Sequence, residues 1–204
     1  MNPRVRMVAE QIRARGVRDA RVLAAMERIP RDRFIPDALR GDAYEDHPVS
    51  IGHGQTISQP YIVGYMTEAL RLEATHRVLE IGTGCGYQTA VLAELVPEVF
   101  SIERLPDLAE RARRTLADLG YTNVHIRVGD GHHGWPEHAP YDRILGAAAA
   151  ASIPPALTAQ LADGGILVMP IGTEHQELQA LQKRGERLET LATLPVRFVP
   201  MVKS

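Results

Sequence analysis

Apolar residues recur along the chain at two periods, and the periods change where the chain changes character. Val5, Val8 and Ile12 fall at helical spacing, and Gly16 follows as a stop. Val22, Leu23 and Met26 share one side of a second helix, Ala20 to Arg28, for which Asp19 is a ready N-cap. Pro30 and Pro36 break the pattern, and residues 37 to 54, with Gly41, Asp42, Pro48, Gly52 and Gly54, read as irregular loop. Ile62, Met66, Ala69 and Leu70 restore a helical stripe. Pro60 suits its first turn, and Ser58 stands where an N-cap would.

From residue 77 onward, short apolar runs alternate with helical stripes. Arg77–Ile81, Glu98–Ile102, Val124–Val128, Tyr141–Leu145 and Ile166–Met169 read as strands. Tyr87–Leu95, Leu105–Leu119 and the stretch from Pro154-Pro155 to Leu161 read as the helices between them, and Asp163-Gly164-Gly165 reads as a turn. Glu177–Leu181 and Leu188–Val199 read as two final strands joined at Lys183-Arg184-Gly185-Glu186. This alternation predicts a doubly wound α/β sheet. Residues 1–204 are expected to form a single domain, with a helical addition over 1–55 and an α/β core with C-terminal strands over 56–204.

The first strand of the core runs into three alternate glycines, Gly82, Gly84 and Gly86, and then a helix. Glycine fits where the backbone needs positive φ or where a ligand lies against bare main chain. A dinucleotide fingerprint needs its third glycine at position 87, which is tyrosine, so that fingerprint fails. The pattern acid-x-Gly-x-Gly-x-Gly, beginning at Glu80, resembles instead the first motif of class I S-adenosylmethionine (SAM) methyltransferases. Such a loop suits a ligand with an amino acid end, and the Glu80 carboxylate would attract its ammonium directly or through water. Glu103, about 20 residues beyond the loop at the end of the second strand, stands where such folds hold ribose hydroxyls. Asp130, in the Gly129-Asp130-Gly131 turn after the third strand, is a candidate for the adenine edge, with an ordinary Asp-Gly turn as the alternative.

Composition narrows the classes. With 204 residues, 45% of them hydrophobic, the chain can bury one α/β core, and a net charge of −2 gives no field to attract nucleic acid. The single cysteine, Cys85, excludes an internal disulfide and suits a reducing compartment. The longest small-apolar run, Ile144–Ala151, is far short of a membrane span, and the charged start Met1-Asn2-Pro3-Arg4 has no apolar signal core. A soluble, cytoplasmic monomer is expected. His132 and His133 are adjacent rather than at metal-ligand spacing, so no metal is expected.

With these pieces placed, the chain resembles the protein-L-isoaspartate O-methyltransferases over nearly its whole length. The resemblance rests on Gly52-His53-Gly54-Gln55-Thr56-Ile57-Ser58-Gln59-Pro60-Tyr61-Ile62, on Val78–Gln88, and on Gly129-Asp130-Gly131 with Gly134-Trp135. It continues through Ala139–Ile144, Ile153-Pro154 with Gln160-Leu161, Pro170-Ile171-Gly172, and Val196-Arg197-Phe198-Val199-Pro200. It implies a Rossmann-like methyltransferase fold, SAM as cofactor and S-adenosyl-L-homocysteine as its product. Gly82, Thr83, Gly84, Glu103, Asp130 and Gly131 match the family's cofactor-contacting segments, with Glu80 and Gly86 in the same motif. Gln176 matches a late cofactor contact. Ser58 matches the family's active-site serine. Gln55, Thr56 and Ile57 beside it, and Val196 and Phe198 in the tail, are expected to meet the substrate. Cys85 stands where the family has serine, and Gly146-Ala147-Ala148-Ala149 replaces the usual Val-Thr-Ala-Ala.

The resemblance implies methylation of the free carboxylate of L-isoaspartyl residues in damaged peptides and proteins, which starts repair through a succinimide. An enzyme dedicated to aspartate in one partner is the alternative. A base-methylating enzyme is disfavoured, because the (D/N)-P-P-(Y/F) motif is absent after the fourth strand. A non-catalytic SAM-binding protein is disfavoured by the intact serine and glycine loop.

Overall fold

The computed structural model describes residues 2–203; Met1 and Ser204, the two ends of the expected domain, lie outside the described residues. Its centre is a seven-stranded sheet in the order β5-β4-β3-β6-β7-β8-β9. Strands β3 (Arg77–Ile81), β4 (Glu98–Glu103), β5 (Val124–Val128), β6 (Tyr141–Gly146) and β7 (Leu161–Ile171) run parallel; β8 (Gln176–Arg184) and β9 (Arg187–Val196) form an antiparallel hairpin beyond them. Helices α4 (Tyr87–Ala93), α5 (Pro106–Asp118) and α6 (Pro155–Gln160) cross between the parallel strands.

Both faces of the sheet are covered, as a parallel sheet requires. Alternate residues of β3 divide between the two sides: Val78 packs with Leu92, Val99 and Ile166, and Leu79 and Ile81 with Ile102, Ile144 and Leu157. The strand order reverses at β3, with β4 on one side and β6 on the other, and it is outside the carboxyl ends at such a switch point that ligands bind.

The N-terminal addition begins with one helical run in three geometries: α1 (Pro3–Met7), a π-helical segment Val8–Ile12 and a 3₁₀ turn Arg13–Arg15. Gly16 ends it at φ 105°, the left-handed stop expected of it. Asp19 caps α2 (Ala20–Arg28) through the Arg21 N–H at 2.9 Å. These helices share an apolar cluster with the core: Met7, Val8, Ile12 and Met26 pack with Val63, Tyr87, Ala90 and Leu108.

Three local expectations are corrected. Residues 37–54 are not irregular loop throughout: Asp37–Asp42 is 3₁₀, and β1 (Val49–Gly52) pairs antiparallel with β2 (Gln55–Ile57). His53 and Gly54 turn this ribbon at φ 55° and 68°, the pair of left-handed residues a two-residue hairpin needs. The addition over 1–55 is therefore not wholly helical. Ser58 does not cap the next helix: α3 spans Pro60–Ala69, its N-cap is Gln59, and no side chain bonds there. The Asp163–Gly165 turn lies inside β7, whose pairing with β6 shifts register between Tyr141 and Arg143.

Gly64 marks how closely the addition sits on α3. A Cβ built there would come 2.8 Å from Ile12 Cγ2, a β-branched methyl that cannot turn away freely. Alanine normally stabilises a helix interior by about 1 kcal/mol over glycine. Gly64→Ala is instead expected to lower the unfolding free energy by about 1–2 kcal/mol through overpacking, measured by urea denaturation. A gain in stability would contradict this packing.

Candidate active site

Four loops meet at the carboxyl ends of the parallel strands. The loop after β3 holds Gly82, Gly84 and Gly86 at φ 94°, 56° and 92°, a left-handed run that residues with a Cβ rarely adopt. Gly82 and Gly84 turn bare backbone toward a cavity lined also by Thr83, Cys85, Gln88, Glu103, Gly129 and Gly131. Gly86 serves a different end: a Cβ there would press on Ala112 and Leu116 of α5 at 3.3 Å. Cys85 is buried, and burial pushes its thiol pKa up, which suits packing rather than reactivity.

The loop is held by two carboxylates in different ways. Glu103, at the end of β4, accepts the Gly84 N–H at 2.8 Å and the Leu105 N–H at 3.0 Å, and it lines the cavity. Glu80 is not among the residues that line the cavity. It shares the face of β3 that lies beneath α4, is fully buried, and accepts from Thr89 and Ser101 on one oxygen, each at 2.6 Å. Ser101 in turn bonds Thr83 at 2.6 Å. A buried relay thus connects Glu80 to the cavity wall at Thr83. The second Glu80 oxygen has no hydrogen-bond partner among the described residues. Burial, opposed by the two hydroxyls and assisted by the negative charge of Glu103, raises the Glu80 pKa to about 7.

Asp130 is not among the residues that line the cavity, although Gly129 and Gly131 are. Its carboxylate bonds the backbone N–H of His132 at 2.9 Å and the His132 ring at 2.8 Å. Gly131 allows a close approach, since a Cβ there would fall 2.3 Å from Ile81 Cγ2.

The ribbon brings the serine segment to the same place. Ile51 of β1 packs against the loop, 3.5 Å from a Cβ built on Gly84, and Arg111 of α5 ties its carbonyl at 2.6 Å. Gln55, Thr56, Ile57 and Ser58 consequently line the cavity. The tail closes another side: Val199, Pro200, Met201 and Val202 line it, pinned by the Ala149 N–H to the Val199 carbonyl at 2.9 Å and the Met201 N–H to the Ala149 carbonyl at 2.7 Å.

A second, groove-like opening adjoins the first. Val196, Phe198, Tyr61, Ile62 and Leu194 give it apolar walls, and among the described residues Arg15 and Arg197 are the charged ones that line it. Thr56, Ser58, Ala147 and Val199 belong to both spaces. Ser58 therefore stands on the partition between cavity and groove, half-buried, and its Oγ makes no hydrogen bond among the described residues. Gln176 is not among the residues that line the cavity. Its side-chain amide accepts the Phe198 N–H at 2.6 Å and donates to the Phe198 carbonyl at 3.2 Å, so it extends the β8–β9 ladder to the groove wall.

The family model for protein-L-isoaspartate(D-aspartate) O-methyltransferase matches residues 3–204. The chain belongs to this family. It is 56% identical over 198 residues to a protein-L-isoaspartate O-methyltransferase of Picosynechococcus, covering 97% of this chain and 89% of that one. A Methanoculleus marisnigri relative of the same name is also 56% identical, over 98% of this chain and 91% of its own. A solved protein-L-isoaspartate O-methyltransferase superimposes with a TM-score of 0.89 at 30% identity, covering 97% of this chain and 65% of that chain. A Plasmodium falciparum protein-L-isoaspartate O-methyltransferase in complex with S-adenosyl-L-homocysteine superimposes with a TM-score of 0.86 at 26% identity, covering all of both chains.

Three further residues shape the site through bonds that the sequence does not display. Gln160 accepts the Trp135 N–H at 2.7 Å and donates to the His133 carbonyl at 2.8 Å, which ties the Gly134-Trp135 turn to the end of α6. Gln88 lines the cavity while donating to Thr67 Oγ1 at 2.9 Å. Arg31 is completely buried and donates to the Ser58 carbonyl at 2.8 Å. Its only sequence sign is an arginine between two proline breaks.

The Glu80 relay has a consequence for stability. A raised folded-state pKa means that the folded protein keeps its proton while the unfolded chain ionises, so the stabilisation present below pH 4.5 is lost as pH rises through about 7. Glu80→Gln carries no such proton. Between pH 4.5 and pH 8 the difference in unfolding free energy is expected to move by about 3 kcal/mol in favour of the variant, measured by denaturation across that range. A difference that stays constant with pH would contradict a buried, raised carboxyl at this position.

Proposed function

We infer that this chain methylates the free carboxylate of L-isoaspartyl residues in damaged peptides and proteins, using S-adenosyl-L-methionine. The observation that carries the reading is the placement of Ser58 on the partition shared by the glycine-loop cavity and the apolar groove. The cavity suits the cofactor: bare backbone at Gly82, Gly84 and Gly131, a carboxylate at Glu103, and a tail that covers the opposite side. When bound, the cofactor supplies an electrophilic methyl group on a sulfonium. Gly82, Thr83, Gly84 and Gly131 would hold it, with Glu103 toward its ribose; Glu80 acts beneath the loop through Ser101 and Thr83. Asp130 acts through the His132 turn.

The groove would take the peptide, with its main chain extended along Val196–Phe198 and Gln55–Ile57 closing the approach. The isoaspartyl carboxyl has an ordinary pKa of about 4, so it is ionised at neutral pH and attacks without a base. Ser58 has the chemistry this requires. As a neutral donor it orients the carboxylate and leaves its charge available. The walls at Val199–Val202 and Ala147 exclude water around two charged partners, which strengthens their attraction. The methyl ester that forms is then attacked by the nitrogen of the next peptide bond. Methanol leaves, a succinimide closes, and hydrolysis returns part of it to normal aspartate. Among the described residues no cluster of side chains suits a metal ion, and no helix is long and apolar enough to cross a membrane. A cytoplasmic monomer with no nucleic-acid partner remains the proposed setting.

The test is methyl transfer from labelled SAM to two matched peptides, one isoaspartyl and one aspartyl. Base-labile label on the isoaspartyl peptide alone, reduced about 100-fold in Ser58→Ala, is the expected result. Label on the aspartyl peptide, or none on either, would overturn the assignment. The groove's charge adds a preference. Exposed ion pairs contribute up to about 1 kcal/mol each. An isoaspartyl peptide flanked by Glu is therefore expected to show kcat/KM about 3-fold above its Lys-flanked counterpart, with the gap closing near 0.5 M salt as screening shortens to about 4 Å. Equal values at low salt would contradict a role for Arg15 and Arg197 in reading context.

A further inference from the structure

Arg31 is a charged side chain with no solvent exposure. It opens a short 3₁₀ turn, Arg31–Phe34, between Pro30 and the second proline break. Its Nε donates to the Ala43 carbonyl and one terminal nitrogen to the Ser58 carbonyl, both at 2.8 Å. Its guanidinium lies 4.8 Å from the ring centre of Tyr87, the first residue of the helix that follows the glycine loop. Among the described residues the other terminal nitrogen and the Tyr87 hydroxyl, both buried, have no partner at good hydrogen-bond geometry, and the charge of Arg31 favours the Tyr87 oxygen.

Burying a guanidinium this way is expensive, and a well-packed apolar residue commonly serves stability as well or better. The geometry therefore asks what the charge does that packing cannot. Ser58 lies between the end of β2 and the cap of α3, and among the described residues its side chain has no hydrogen bond to fix it. Its carbonyl is held across the chain by Arg31, 27 residues earlier. Fixing that carbonyl fixes the torsion that aims the Ser58 Cβ. The same planar group rests on Tyr87, so one rigid fork spans the serine segment and the start of the cofactor-loop helix.

We propose that Arg31 is a positioning residue for methyl transfer, setting the serine segment against the cofactor loop through its bond to the Ser58 carbonyl. The proposal rests on the role of Ser58 given above. A lysine keeps the charge but is a point donor on a flexible stem and cannot reproduce a planar fork aimed at two carbonyls. Residues that act through one another show non-additive losses, and a double-mutant cycle measures this.

The experiment measures kcat with an isoaspartyl peptide and the dissociation constant of S-adenosyl-L-homocysteine for wild type, Arg31→Lys, Ser58→Ala and the double variant. Rates are referred to the concentration of sites that titrate with S-adenosyl-L-homocysteine, so that loss of folded protein does not count. Arg31→Met serves as a second variant of the same volume class without charge. Arg31→Lys is expected to lower kcat about 30-fold with the dissociation constant changed less than about 2-fold, and to add no further loss in the Ser58→Ala background. A merely structural role would leave kcat per titrated site unchanged, or would multiply with Ser58→Ala; either result overturns the proposal. Full activity of Ser58→Ala alone would overturn the reading of Ser58, and the proposal with it.

Discussion

The structure depends on a turn of backbone that has to remain uncovered. Between β3 and α4 the chain makes three left-handed steps, at Gly82, Gly84 and Gly86, and two of them turn peptide groups toward a cavity rather than into packing. With glycine at every second position the stretch has few side chains to hold it, so much of its stability comes from its surroundings. Glu103 takes the Gly84 N–H from the side, and the Glu80–Ser101–Thr83 relay supports it from below. Ile51 of the ribbon packs on its outer surface, and Ala112 and Leu116 fill the space that a side chain at Gly86 would need. Much of what lies outside the sheet is arranged around keeping this loop bare and still.

The sheet was legible in the sequence because burial on both faces leaves a strong mark. Arg77–Ile81 and Val124–Val128 read as the strands they are, and α2 matched Ala20–Arg28 to the residue because Asp19 and the apolar stripe agree. The β1–β2 ribbon was not legible. Its strands are four and three residues long, too short for alternation to show, and its turn uses His53 in a left-handed conformation that sequence does not announce. The helical run at the N-terminus was visible as a stripe, whereas its π-helical middle was not.

In the site, residues that present backbone or carboxylate to the cavity could be named in advance, because motif spacing carries them. Gly82, Gly84, Glu103, Gly131 and Ser58 all line it. Residues that act at one remove carry no such mark. Glu80 and Asp130 flank the motif in sequence but turn to Ser101, Thr89 and His132. Gln176, Gln160 and Arg31 hold carbonyls and N–H groups of segments 22, 25 and 27 residues away, a relation that only the folded chain displays. A side chain that bonds backbone leaves no complementary partner in the sequence to find.

The chemistry proposed for this arrangement is economical in residues because the nucleophile arrives ionised. What the protein must supply is alignment and dryness at one partition, where Ser58 and Ala147 separate two spaces. A crystal structure of the protein with S-adenosyl-L-homocysteine and an isoaspartyl peptide tests this most directly. The homocysteine sulfur is expected in the glycine-loop cavity and the peptide main chain along Val196–Phe198. The isoaspartyl carboxylate is expected within hydrogen-bond reach of Ser58 Oγ, facing the sulfur. A carboxylate bound away from Ser58, or a peptide lying outside the groove, would contradict it.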